Sequence, residues 1–329
     1  MLPLQNFSAS RATAADLVLD DDADADTIRA ELQAGLLATP AFTAPKYLYD
    51  ALGSKLFEAI CLLPEYYPTR TEAAIFDANL AAIAQAVGLG ATLIDLGAGN
   101  CAKAVRLFPA LQPRQYVPID ISADFLAQAL APIRSRFPKI EMTGIGLYFS
   151  SSLDLPDTVS QEKRLFFYPG SSIGNFAPAQ AEAFLRRIRA ACGADGALLI
   201  GIDLIKEKAI LDAAYDDALG VTAAFNLNLL HHLNRLLGAN FEVRDWLHRA
   251  FYSPQQSRIE MHLEARRSLT VHWHGGQRYF AEGERIHTED SYKYTAQSFI
   301  ELLGAAGFGA IRKWTDERGW FAIMHAQAL

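Results

Sequence analysis

The 329-residue chain predicts an α/β fold: a doubly wound parallel sheet ended by an antiparallel hairpin, with a second, α+β lobe attached. Three observations carry this expectation. Strand-like and helix-like segments alternate between Thr92 and Asp203, the alternation breaks between Asp203 and Thr295, and one helix and a hairpin then close the chain. With 51% hydrophobic and 20% charged residues, the chain has apolar material for one large core or two smaller ones, which excludes disorder.

Taken in order, the first 26 residues read as a flexible acidic leader. Residues 20–26 hold five aspartates, and with Glu31 in twelfth place they copy the ligand spacing of a calcium loop. Ala25 occupies the position that such a loop reserves for glycine, so the stretch reads instead as solvated acid feeding a helix N-terminus. Ile28, Leu32 and Leu36 recur at helical spacing over 27–37. A second helix is expected over 46–63, before a break at Pro64-Glu65-Tyr66-Tyr67-Pro68, and a third over 73–87, stopped by Gly88-Leu89-Gly90. Strands follow at 92–96, 115–119, 139–145, 164–168 and 197–202, with helices at 102–111, 123–137 and 179–191. Beyond Asp203, 204–237 reads as helical, and 257–265, 268–274 and 277–284 as antiparallel strands separated by Arg266-Arg267 and Gly275-Gly276. A helix at 295–306 and strands at 310–314 and 319–326 return to the sheet. The expected division is therefore a leader (1–26), a helical part of the second lobe (27–70), a cofactor domain (71–204), the inserted remainder of the second lobe (205–294) and a return to the cofactor domain (295–329). A ligand site is expected between the lobes, beyond the carboxyl ends of the parallel strands.

Composition excludes several functions. A net charge of −7 and the absence of any basic block argue against nucleic-acid binding. No apolar run approaches a membrane span, and the N-terminal residues lack the order of a secretory signal, so a soluble protein is expected. Cys61, Cys101 and Cys192 lie far apart without C-x-x-C spacing, which fits a reducing, cytoplasmic setting. His231-His232 and His272-x-His274 make poor metal cages, so no metal site is expected. No G-x-S-x-G elbow, P-loop or H-E-x-x-H occurs to anchor a hydrolase or kinase reading.

The sharpest cofactor signal is Ile94-Asp95-Leu96-Gly97-Ala98-Gly99-Asn100 at the end of the first predicted sheet strand, followed by Asp120 at the end of the next. Glycines let backbone approach an adenosyl group, and an acid about twenty residues on accepts both ribose hydroxyls. Alone the motif is ambiguous, because Gly97-x-Gly99-x-x-Ala102 also satisfies a nicotinamide dinucleotide fingerprint. The terminal hairpin favours S-adenosylmethionine, since five parallel strands finished by such a hairpin form the Rossmann-like sheet of methyltransferases that use it. Tyr168-Pro169-Gly170-Ser171-Ser172-Ile173-Gly174-Asn175-Phe176 ends the fourth strand, where substrate-facing residues sit, and Asn175 offers both donor and acceptor to an amino-acid head group. It equally fits a plain Gly-Asn turn.

A longer series of segments is more specific than any glycine motif. Tyr49-Asp50-Ala51-Leu52-Gly53-Ser54-Lys55-Leu56-Phe57, Leu63-Pro64-Glu65-Tyr66-Tyr67-Pro68-Thr69-Arg70, Gly170-Ser171-Ser172-Ile173-Gly174-Asn175, Ala214-Tyr215-Asp216-Asp217, Arg258-Ile259-Glu260-Met261 and Trp314-Thr315-Asp316-Glu317 resemble the histidine Nα-methyltransferases of ergothioneine biosynthesis. The resemblance runs unbroken from about Tyr47 to the C-terminus.

The resemblance implies a role for each matching position. Tyr66, Asn175 and Tyr215 would hold the amino and carboxylate groups of histidine, Glu289 and Ser291 its imidazole, and Met261 would line the cavity. Tyr49, Gly97, Lys103 and Asp120 match cofactor contacts, with Asp120 on the ribose, and the glycine motif adds Gly99. One departure stands out: where the family places an Asp before an aromatic against the adenine, this chain has Tyr148-Phe149, which keeps the aromatic cover without the carboxylate. Plainer readings exist for single residues. Thr288 to Ser291 also fits a polar surface turn, Tyr66-Tyr67-Pro68 an aromatic turn, Tyr215 a helix surface and Met261 strand packing. A carboxylate beside a hydroxyl can satisfy both imidazole nitrogens and so reject phenylalanine. The expected reaction is methylation of the histidine α-nitrogen, up to three times, giving hercynine and S-adenosylhomocysteine, with Tyr49 or Tyr66 orienting the nitrogen or passing on its proton. The partners implied are histidine and its mono- and dimethylated forms, bound by a monomer with no nucleic-acid or membrane partner. Another small amine as substrate, or a nicotinamide-dependent oxidoreductase, are the alternatives.

Overall fold

The computed structural model describes residues 17–19, 25–121, 123–150 and 152–329. Strand β1 (Leu17–Leu19) precedes helix α1 (Ala25–Leu37), strand β2 (Ala41–Phe42), helix α2 (Ala51–Ile60) and helix α3 (Tyr67–Val87). The alternating region holds β3 (Thr92–Leu96), α4 (Ala102–Val105), α5 (Phe108–Leu111), β4 (Gln115–Asp120), α6 (Ala123–Arg136), β5 (Glu141–Met142), β6 (Gly144–Gly146), β7 (Arg164–Tyr168), α7 (Pro178–Cys192) and β8 (Ala197–Asp203). Helices α8 (Lys208–Tyr215) and α9 (Val221–Leu237) lead to strands β9 (Trp246–Ser253), β10 (Arg258–Ala265), β11 (Leu269–Trp273), β12 (Gly276–Phe280) and β13 (Arg285–Tyr292). Helix α10 (Ala296–Ala305), β14 (Phe308–Thr315) and β15 (Phe321–Ala328) complete the chain.

The main sheet runs β1-β6-β4-β3-β7-β8-β15-β14, with β5 beside β4. Strands β6, β4, β3, β7 and β8 are parallel, and β15 pairs antiparallel with both β8 and β14, as the alternation and terminal hairpin predict. Every residue of β3 and of β8 is buried, which explains why both are mostly apolar. Two apolar clusters cover the two faces of this sheet, and a third fills the second lobe around α9 and a four-stranded sheet ordered β2-β13-β10-β9. Among the described residues, no helix is long and apolar enough to cross a membrane.

Several expectations are corrected. Leu17–Leu19 belong to the sheet and pair in parallel with β6, so the leader is not wholly separate from the fold. Residues 20–24 of the calcium-like stretch lie outside the described residues. The helix expected over 46–63 is a 3₁₀ turn followed by α2, because Asp50 caps α2 by accepting from the Gly53 amide at 2.7 Å. A Cβ at Gly53 would fall 1.8 Å from the Leu48 carbonyl oxygen, so only glycine permits this turn. Pro68 does not break a helix; it sits in the first turn of α3, where its missing N–H costs nothing. The helix expected over 102–111 divides into α4 and α5, the latter with Pro109 in its first turn, and the strand expected over 139–145 divides into β5 and β6.

The helix expected over 204–237 breaks at 216–220, where the Asp217 carboxylate accepts from the Val221 and Thr222 amides at 3.0 and 2.8 Å. The break leaves Tyr215 at the end of α8. The segment expected over 277–284 shortens to β12, which pairs only with β11 in a separate hairpin. Strands β9 and β13, absent from the expectation, flank β10 instead. Thr288 to Ser291 is therefore a strand, not a surface turn.

Candidate active site

The cofactor end is built where β3 and β4 finish. Gly97 and Gly99 take positive φ values of 69° and 52°, and the Asp120 carboxylate accepts from the Gly99 amide at 2.9 Å, fixing the glycine turn against β4. A Cβ at Gly99 would meet nothing within 4 Å, while one at Gly97 would touch the Phe149 ring at 3.8 Å. The loop is thus open above Gly99 and walled by Phe149, a shape that suits an adenosyl group. Lys103 donates to Glu72 at 2.7 Å, and the other Glu72 oxygen accepts from the Gly170 amide at 2.7 Å. Glu72 is 2% exposed and was not anticipated; the signal was an acid on the same helical face as Ile75 and Phe76. It couples Lys103 to the loop that carries Asn175. Tyr148 is exposed, its ring 4.7 Å from the Lys46 ammonium, and it borders a second cavity lined by Ser150, Phe176, Gln180 and Arg187.

Every anticipated substrate residue lines one cavity: Tyr66, Asn175, Tyr215, Met261, Glu289 and Ser291, together with Tyr49. Alternation along β13 turns Glu289 and Ser291 to the same face, and Met261 is the cross-strand partner of Glu289. Asn175 ends a 3₁₀ turn, Ser172–Asn175, that presses on β13. A Cβ at Gly174 would lie 2.8 Å from the Tyr292 carbonyl oxygen. Gly174→Ala is therefore expected to push the turn off β13, lower stability by about 1–3 kcal/mol and weaken substrate binding about tenfold, measured by thermal denaturation and by KM. The aromatic wall was only partly anticipated: Tyr49 packs edge-on against Phe57 and Phe225 with centroids 5.6 and 5.4 Å apart, and Phe57 against Tyr66 at 6.1 Å.

Charge is concentrated at the β13 end. Glu289 is 8% exposed and its Oε2 has no hydrogen-bond partner among the described residues. Burial pushes its carboxyl up to about 7, against the pull of Lys293. Burial, with the nearby Glu289 carboxyl and Tyr215, holds the Tyr49 and Tyr66 hydroxyls well above the usual phenol range. Both therefore act as neutral hydroxyls, not as phenolates. Tyr215 donates to the Ser291 hydroxyl at 2.9 Å. Among the described residues, no cluster of three or more His, Cys, Asp or Glu side chains could hold a metal ion.

A sheet in which the last strand inserts antiparallel beside β8, with a glycine turn and a carboxylate closing β3 and β4, defines an S-adenosylmethionine-dependent methyltransferase. The family described as "Histidine-specific methyltransferase, SAM-dependent" matches residues 28–328, and the chain belongs to it. The histidine N-alpha-methyltransferase of Mycolicibacterium smegmatis is 39% identical over 92% of this chain and 95% of its own length. That of Mycobacterium tuberculosis is 38% identical over 93% and 96%. Ergothioneine biosynthesis protein 1 of Neurospora crassa is 31% identical over 82% of this chain but only 31% of its own length. The nicotinamide reading of the glycine motif is thereby set aside, and S-adenosylmethionine is the methyl donor.

Proposed function

We propose that the chain methylates the α-nitrogen of free L-histidine, up to three times, to give hercynine on the route to ergothioneine. One observation carries the reading: a single cavity joins a carboxyl with an unpaired oxygen and a hydroxyl at one end to an amide and phenols at the other. Glu289 and Ser291 take the imidazole, while Asn175, Tyr66 and Tyr215 take the amino and carboxylate groups. Residues 27–70 and 205–294 supply the substrate lobe, and 71–204 with 295–329 the cofactor domain. The chain works as a monomer in the cytoplasm, where its three free cysteines stay reduced.

S-adenosylmethionine supplies an electrophilic methyl group on a sulfonium, held by Gly97, Gly99, Lys103 and Asp120, with Tyr148 and Phe149 at the adenine. The protein's part is alignment and exclusion of water. The α-amine attacks only when unprotonated, and the Tyr49, Phe57 and Phe225 wall disfavours its ammonium form. Tyr49 and Tyr66, as neutral hydroxyls, orient the nitrogen, and one that takes its proton gives up its own to water in the same step, so that neither becomes a phenolate. The same rings stabilise the growing alkylammonium by cation–π attraction of about 0.5–2 kcal/mol. Incubation with S-adenosylmethionine and each amino acid in turn, followed by mass spectrometry, is expected to add one, two and three methyl groups to histidine alone. Methylation of another amine in preference to histidine would defeat the proposal.

A further inference from the structure

We propose that Lys293 is a positioning residue for substrate binding, whose buried ammonium turns the Tyr215 and Ser291 hydroxyls into hydrogen-bond donors toward the ligand. This rests on the pocket reading above and adds a residue that makes no contact with the ligand itself. Lys293 follows β13, and its side chain is 0% exposed. Its three N–H groups have three partners: Asp203 Oδ2 at 2.9 Å, Ser291 Oγ at 2.8 Å and Tyr215 Oη at 3.1 Å.

An ammonium can only donate. Tyr215 and Ser291 must therefore accept from Lys293, and each keeps its own hydrogen for another partner. The Tyr215 hydrogen goes to Ser291, and the Ser291 hydrogen is left for the cavity that Ser291 lines. A bound carboxylate can claim the Tyr215 hydrogen, while Ser291 donates to the imidazole nitrogen that carries the lone pair. The ring N–H is then left for Glu289. Lys293 thus selects a neutral imidazole in one orientation, and places a positive charge where a carboxylate arrives.

The device is held from the other lobe. Asp203 ends β8 of the main sheet, and it also accepts from Lys206 at 2.6 Å and from Tyr67 at 2.7 Å. Burial works against a charged Lys293, but the Asp203 carboxylate and the Tyr215 hydroxyl outweigh it and keep it protonated. The Tyr294 amide donates to the Asp203 carbonyl at 3.1 Å, which ties the end of β13 to the end of β8. Removing the Lys293 charge still leaves Asp203 with Lys206 and Tyr67, so the pair is not simply the support of the fold.

The test compares Lys293→Met in two backgrounds, with S-adenosylhomocysteine binding as the check on folding. In the otherwise native chain the KM for histidine is expected to rise about 30-fold, with kcat within about threefold and S-adenosylhomocysteine affinity within about twofold. In a Tyr215→Phe/Ser291→Ala chain the same change is expected to cost less than about threefold, because the hydroxyls it directs are gone. Equal effects in both backgrounds, or an unchanged KM in the native one, would overturn the proposal. If Lys293→Met does not bind S-adenosylhomocysteine, Lys293→Gln replaces it; loss of binding there too assigns Lys293 to the fold and also overturns the proposal. Absence of histidine turnover by the native chain would instead defeat the functional reading.

Discussion

Glu289→Ala raises the KM for histidine about 100-fold and leaves S-adenosylhomocysteine affinity unchanged. The magnitude follows from the loss of a hydrogen bond to a buried ionisable group, about 1.5–3 kcal/mol, in a pocket where Glu289 supplies the carboxylate. The same residue gives a pH signature. Burial raises the Glu289 carboxyl from 4.5 to about 7, so the folded chain binds more protons than the unfolded one across that window. Stability of the ligand-free protein therefore falls as pH rises through it, and the full penalty applies above about 7. Glu289→Gln is expected to remove this component. Thermal denaturation of both chains between about pH 5 and 8 measures it, and parallel curves would show that Glu289 ionises as an ordinary carboxylate.

Asp120→Ala is expected to weaken S-adenosylhomocysteine binding about 100-fold, as seen by calorimetry. Two losses combine. The carboxylate proposed to accept the ribose hydroxyls disappears, and the Gly99 amide loses the acceptor that holds the glycine turn at 2.9 Å. Histidine affinity without cofactor should change far less, because the substrate cavity is lined by Tyr49, Tyr66, Asn175, Glu289 and their neighbours, whereas Asp120 ends β4 beside the glycine turn. Cofactor binding within a few-fold of the native chain would place the ribose elsewhere.

Much of the main sheet is legible in the sequence because its central strands are buried on both faces. The stretches 92–96 and 197–202 read as mostly apolar runs bounded by turns, and both are strands, the second extending to Asp203. Strand β13 hides for the opposite reason. Glu289 and Ser291 face the pocket while Asp290 pairs with Arg258 and His287 on the other side, and a register shift near His262 disturbs the alternation further. A strand polar on both faces has no period-2 signature. The family resemblance located Glu289 and Ser291 where periodicity could not. Glu72 and Lys293 escaped both, because their partners Gly170 and Asp203 are distant in sequence and meet only when α3, β7, β8 and β13 converge. The break at 216–220 was likewise hidden, since its cap is a side chain accepting from amides inside an otherwise continuous apolar helix pattern.

The position of the transferred methyl group reports the orientation of histidine in the cavity directly. Native protein is incubated with histidine and S-adenosylmethionine carrying a ¹³C-labelled methyl group, and the product is examined by NMR. The labelled carbon is expected to correlate with the α-proton, as it must if the imidazole is held by Glu289 and Ser291 and the α-nitrogen faces the donor. Correlation with a ring proton would mean that the imidazole faces the donor, and would contradict this orientation.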